Sequence, residues 1–276
     1  MKKARVLFVS QEMVPYLESS HIGEITRNLP QGIQELGKEI RTFIPRYGCI
    51  NERRNQLHEV IRLSGMNLII DDTDNPLIIK VASIPAAKMQ VYFIDNDDYF
   101  YRKAVLKDKA SGEYFEDNDE RAIFFCRGVL ETVKKLGWAP DVVHCHGWMS
   151  SLIPVYLKKA FNEDPIYSNT KIVYSVYNND FGDTLDKRFA EKSVIDGVEK
   201  EDVSLAEDAS FIGLNKMAIK HSDAIIQGSE EIDGDLMKFI EDNKKPFLSF
   251  QEEDQYIEEY DKFYDSILSE NSILAE

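Results

Sequence analysis

With 276 residues, 43% of them hydrophobic, the chain can bury the core of one large α/β domain or two small ones, which excludes a peptide-scale scaffold. Its 33 lysines and arginines stand against 49 aspartates and glutamates, and the formal charge of −16 opposes nucleic acid and anionic membranes as partners. Three cysteines, Cys49, Cys126 and Cys145, lie in or beside apolar runs without C-x-x-C spacing, the pattern of buried, reduced thiols in a cytoplasmic protein.

Residues 4–10 (ARVLFVS) predict the first strand of a doubly wound sheet; the run contains Arg5 and is too short for a signal or membrane segment. After a loop over 11–20, Ile22, Ile25, Leu29, Ile33 and Leu36 recur at helical spacing, with Gly37 as a stop and Pro30 as an expected bend. Residues 39–45 (EIRTFIP) predict a second strand. From 57 to 95 the period shortens to two, and HEVIRLSG, MNLIID, PLIIKVASI and KMQVYFID predict an antiparallel extension. Residues 96–116 form a loop rich in aromatics, among them Tyr99 and Tyr101. Such a loop lines a sugar site or, more commonly, packs on its own domain.

Asp117 and Asn118 are expected to cap a helix that runs to residue 136 and stops at Gly137 and Pro140. The stretch that organises the chain comes next: 141–148 (DVVHCHGW), a Val-rich run whose polar end breaks at a glycine before a helix over 149–159. A buried parallel strand opening onto a crevice has this form, and a doubly wound sheet holds its ligand there. A strand over 171–176, a polar tract of loop and short helical pieces over 178–208, a helix over 211–221, a strand over 223–227 and a helix over 230–242 follow. Residues 251–270 carry Tyr256, Ile257, Tyr260, Phe263, Tyr264, Ile267 and Leu268 at helical spacing, so an amphipathic helix should pack back onto the sheet. The expected class is α/β, a doubly wound, mostly parallel Rossmann-like sheet with an antiparallel extension and a returning C-terminal helix. His144 and His146, two apart, share one face of their strand; without a third ligand nearby they read better as hydrogen-bonded structural histidines than as a metal site. Trp148 reads equally as core or as a sugar platform.

Several blocks, in order, resemble one family. VLFVSQEMVPYLESSHIGEITRNLP is similar to an opening V-x-x-E-x-x-P strand and loop leading into K-x-G-G-L-x-D-V. DNDERAIFFCRGVLE resembles D-N-x-x-R-F-x-x-F, DVVHCHGWMSSLIPVYLK resembles D-V-(V/I)-H-x-H-D-W-H-x-x-L-x-P-x-Y-L, and KIVYSVYNN resembles a strand ending in T-(I/V)-H-N. The family is that of bacterial glycogen synthases and plant starch synthases, retaining glucosyltransferases that use ADP-glucose. The resemblance implies one half of a fold in which two Rossmann-like domains clasp the nucleotide sugar. Residues 1–245 would form the amino-terminal domain. Residues 246–276 would be a linker and the returning helix, with the second nucleotide-binding domain excised between them. No cofactor or metal is implied, and the localisation expected is cytoplasmic.

The resemblance also implies where this chain departs. Glu18 falls on the family's donor-site lysine, Ser20 and His21 on its Gly-Gly pair, Gly147 on the aspartate of H-D-W, Met149 on the histidine after it, and Tyr177 on the histidine of T-(I/V)-H-N. Diphosphates favour helix N-termini because free N–H groups and the dipole attract negative charge. At an effective dielectric near 20, a carboxylate about 4 Å from a phosphate costs roughly 4 kcal/mol. His144, His146, Trp148 and Asn178 persist and, with Tyr99 and Tyr101, make up the candidate ligand crevice; no catalytic residue is assigned. The expectation is a catalytically silent synthase-like domain that binds α-glucan or an enzyme of glycogen metabolism. The alternatives are a glucosyltransferase completed by a partner chain, and an α/β interaction module that binds no sugar and self-associates.

Overall fold

The computed structural model describes residues 3–273 and sets the predicted apolar runs side by side. Ten strands form one sheet: β1 (Arg5–Ser10), β2 (Glu39–Pro45), β3 (His58–Glu59), β4 (Met66–Ile70), β5 (Thr73–Ile84), β6 (Met89–Asp95), β7 (Val142–His146), β8 (Lys171–Val176), β9 (Ala224–Gln227) and β10 (Phe247–Leu248). Their order is β10-β9-β8-β7-β1-β2-β6-β5-β3, with β4 paired to β5 off this path. From β10 to β6 every pairing along this order is parallel, and β5 pairs antiparallel with β6, β4 and β3. The chain builds outward from β1 through β2 to β6 and then returns to the other side of β1 at β7. The topological switch point therefore lies between Ser10 and His146, which are register partners.

Among the described residues nine helices accompany the sheet: α1 (His21–Glu35), α2 (Asp97–Phe100), α3 (Asn118–Leu136), α4 (Leu152–Lys159), α5 (Phe189–Ser193), α6 (Lys200–Val203), α7 (Phe211–His221), α8 (Gly234–Asn243) and α9 (Tyr256–Ile273). The stripes of α3, α4 and α7 join one apolar layer, and α1 with α9 close the other over Val6, Phe8, Val142 and Val173. Burial on both faces explains why β1, β7, β8 and β9 read as continuous apolar runs rather than as alternations. No helix among the described residues is long and apolar enough to cross a membrane.

KMQVYFID is β6; it pairs antiparallel with β5, as the extension expects, and its other edge pairs parallel with β2, so it is also the strand that joins the extension to the parallel sheet, and the β3–β5 excursion replaces the usual crossover helix. Four expectations change. HEVIRLSG contributes only β3. Asp117 occupies the N-cap position of α3 but caps no N–H; it binds Arg102 at 2.6 Å, and Asn118 instead donates to the Leu106 carbonyl at 2.9 Å. The helix expected from 149 starts with a 3-10 turn, Trp148–Ser150, and becomes α-helical at Leu152, placing Pro154 in the first turn where its missing N–H is harmless. Pro30 lies within α1, which runs through it without a break.

α9 lies across α1 at a close approach. A Cβ on Gly32 would stand 2.5 Å from Ile257 Cγ2, so the glycine lets the two helices meet, and Lys38 fixes the contact through Asp261 at 2.6 Å and Asp265 at 2.9 Å. Gly32→Ala is expected to destabilise the chain by about 1–3 kcal/mol through overpacking. Combined with Ile257→Ala, it should cost less than the sum of the two single changes in urea denaturation. Strict additivity would show that α9 does not press on this position.

Candidate functional site

The site begins where β1 gives way to α1. Ser20 caps the helix: its hydroxyl oxygen accepts from the Gly23 N–H at 3.0 Å, and its proton goes to Glu12 Oε2 at 2.5 Å. Glu12 Oε1 in turn accepts from Gln11 Nε2 at 2.9 Å. His21, the first residue of α1, places Nε2 2.7 Å from the Gly228 carbonyl and meets the Tyr177 ring edge-on at 5.9 Å. A helix N-terminus that would otherwise face an anion is thus bound to groups of the same chain. Glu18 sits exposed on this loop.

The β7 side is closed in a similar way. Gly147 has φ +81°, and a Cβ there would fall 2.3 Å from Gln11 Oε1, so any larger residue would displace the glutamine that now fills the switch point. Gln11 Oε1 lies 3.4 Å from both the Met149 N–H and Asn179 Nδ2. Met149 is buried, with its sulfur 3.0 Å from the Tyr47 hydroxyl. Tyr177 is buried too; its ring lies flush on Gly228, where a Cβ would stand 2.5 Å from Cε1, and its hydroxyl reaches His146 Nδ1 at 2.7 Å.

The six crevice candidates do not share one crevice. His144 and His146 are fully buried, with rings 3.9 Å apart, and point into the layer under α9; His144 meets Tyr264 Oη at 2.6 Å and Ser175 Oγ at 2.7 Å. Residues two apart on a doubly covered strand face a helix layer rather than the strand end, which is why the spacing that groups these two also removes them from solvent. Burial drives both imidazoles toward the neutral form, His146 to about 3. Trp148 is core, edge-on to Phe181 at 4.9 Å, and Tyr99 is buried with its hydroxyl on Glu120 at 2.8 Å. Tyr101 is 64% exposed, and Asn178 is exposed with its backbone N–H on Ser229 Oγ at 3.0 Å. Among the described residues no group of three His, Cys, Asp or Glu side chains is placed to hold a metal.

Sequence reasoning missed the wall opposite Glu18. A cavity of about 580 Å³ separates the β1–α1 loop from residues 104–109, and Glu12, Glu18, Cys49, Lys107 and Lys109 all line it. Cys49, expected to be buried, is only partly so. Lys107 holds its ammonium 4.2 Å from the Tyr114 ring centroid, so the cavity carries charges of both signs. Arg121, from the DNDER block, is fully buried among the Tyr47, Phe100 and Phe115 rings; it donates to Asn118 Oδ1 at 2.6 Å, has no carboxylate within ion-pair distance among the described residues, and burial lowers its pKa to about 10.

The family model of the starch synthase catalytic domain matches residues 5–243. The chain belongs to this family. It is 39% identical over 174 residues to a glycogen synthase of Chlorobium limicola, a match covering 63% of this chain and 36% of the relative. It is also 32% identical over 235 residues to a glycogen synthase of Chlorobium phaeovibrioides, covering 84% and 47%. The chain thus spans less than half the length of these curated relatives. The catalytic domain of starch synthase IV from Arabidopsis thaliana, solved with ADP and acarbose, superposes with a TM-score of 0.73 at 17% identity, over 90% of this chain and 51% of that one; it bears on the fold alone. The starch synthase half-fold accounts for the mostly parallel sheet and for the switch point between β1 and β7.

Because His144 and His146 are neutral when folded and protonate below about pH 6.5 when unfolded, protons favour unfolding. Their contribution to stability is complete above that pH and declines as pH falls toward the folded-state values, about 3 for His146. Urea denaturation between pH 6.5 and 5 should show this slope, and His146→Asn should reduce it. An equal slope in that variant would contradict the assignment.

Proposed function

We propose that this starch synthase-like domain is catalytically silent toward nucleotide sugars and serves as a glucan-binding or regulatory module in glycogen metabolism. One observation carries the reading: the positions that the resemblance assigns to the donor, the exposed Glu18 apart, are bonded to or packed against other groups of the chain itself. Ser20 and Glu12 take the first turn of α1, His21 and Tyr177 close over it, and Gln11 lies where a side chain at 147 would stand. Loss of preorganised polar groups at a reacting centre typically costs powers of ten in rate, and a ligand would have to break the intrachain bonds of Ser20, Glu12 and His21 before it could use the first turn of α1.

A second reading has its own support. Lys107 and Lys109 face Glu18 across the cavity and offset its charge, which favours a glucosyltransferase completed by a separate chain. The two readings separate on whether the donor binds this domain. Calorimetric titration with ADP-glucose is expected to give no saturable heat, while maltoheptaose does. Glu18→Lys alone should leave the donor silent, because occupancy rather than charge blocks it. Donor binding by the unaltered chain would favour the second reading, and failure of both ligands would remove the glucan role.

A further inference from the structure

The amino-terminal edge of the sheet, opposite the β1–α1 loop, carries a feature that the family reading does not use. A groove of about 500 Å³ opens there between the start of β2, the turn into β6 and the segment after α3. Lys3, Lys38, Arg41, Lys88, Tyr92 and Trp138 line it. Its one lining carboxylate, Glu39, is taken by Arg5 at 3.0 Å, and Lys38 is neutralised by Asp261 and Asp265. Lys3, Arg41 and Lys88 remain, and among the described residues none of them has a carboxylate within ion-pair distance.

Arg41 is held for contact. Its guanidinium carbon lies 5.2 Å from the Trp138 ring centroid and 5.5 Å from that of Tyr92. One Nη donates to the Tyr92 hydroxyl, while the buried Nε has no partner. A guanidinium pinned on aromatic faces presents its remaining N–H groups in a fixed fork, the geometry that matches two oxygens of one anion. Lys3 and Lys88, both exposed, add mobile point charges at the rim. In a chain of net charge −16, gathering unpaired cations costs mutual repulsion that a bound anion relieves. The volume suits a small molecule rather than a protein surface.

We propose that this groove binds a small, multiply charged anion of the phosphate-ester or diphosphate class. The proposal is independent of the donor-loop reading. Inorganic pyrophosphate is the probe, and Trp138 the reporter, since it lines the groove under Arg41 whereas the other tryptophan, Trp148, does not. Pyrophosphate should change tryptophan fluorescence saturably, with an affinity that falls as salt rises. Lys88→Glu should weaken it about tenfold, whereas Glu18→Lys on the far edge should leave it unchanged. No saturable response, a response unaltered by Lys88→Glu, or binding of an oligoglutamate peptide without pyrophosphate would each overturn the proposal. Thermal denaturation of Lys88→Glu, expected to match the parent because Lys88 is exposed, keeps misfolding from mimicking a lost site.

Discussion

The hydrogen bond from Ser20 to Glu12, with the cap that Ser20 places on the Gly23 N–H, is the constraint on which the functional reading depends. A helix N-terminus has unsatisfied donors that must find partners, and in a doubly wound sheet the first such terminus adjoins the switch point where ligands collect. Here the partners come from within. Glu12 ties the cap back to Gln11, and Gln11 spans to the β7 side, so the loop and the strand end form one connected set of polar contacts. A ligand diphosphate entering that set would have to break bonds the chain already makes.

The opposite layer shows how the same strand end serves stability. His144 and His146 stack beneath α9 and bond Tyr264, Ser175 and Tyr177, so residues that the resemblance ties to a sugar site join the sheet to its covering helix. Tyr177 links the two roles: its hydroxyl satisfies His146, and its ring fills the space beside His21. One side chain thus supplies a partner to a buried imidazole and occupies volume at the helix terminus. Fold ancestry and present activity are separate properties, and the family assignment rests on the first.

Much of the architecture was legible from residues 4–10, 141–146 and 171–176, because strands buried on both faces leave runs that no other element produces at that length. The antiparallel extension over β3–β6 was legible from its period of two and its turns; that β6 would also pair parallel with β2 was not, since alternation does not name a strand's second neighbour. At the site, the ordered blocks pointed to the loop after β1 and the ends of β7 and β8, which the fold brings together. The contacts made there were not legible. That Gln11 would lie over Gly147, or that Lys107 and Lys109 would face Glu18, depends on loops brought together by the fold and has no local signature. Nor did the pattern show that His144 and His146 face away from solvent, because a period of two says which residues share a face and not which face is open.

The Gly23 backbone amide reports most directly on whether the first turn of α1 is closed to phosphate. Its nitrogen resonance can be followed in isotope-labelled protein while ADP-glucose is added to saturating concentration. The account predicts that the Gly23 resonance stays in place, held by the Ser20 cap. A progressive, saturable shift of that amide, together with that of Met149, would contradict it.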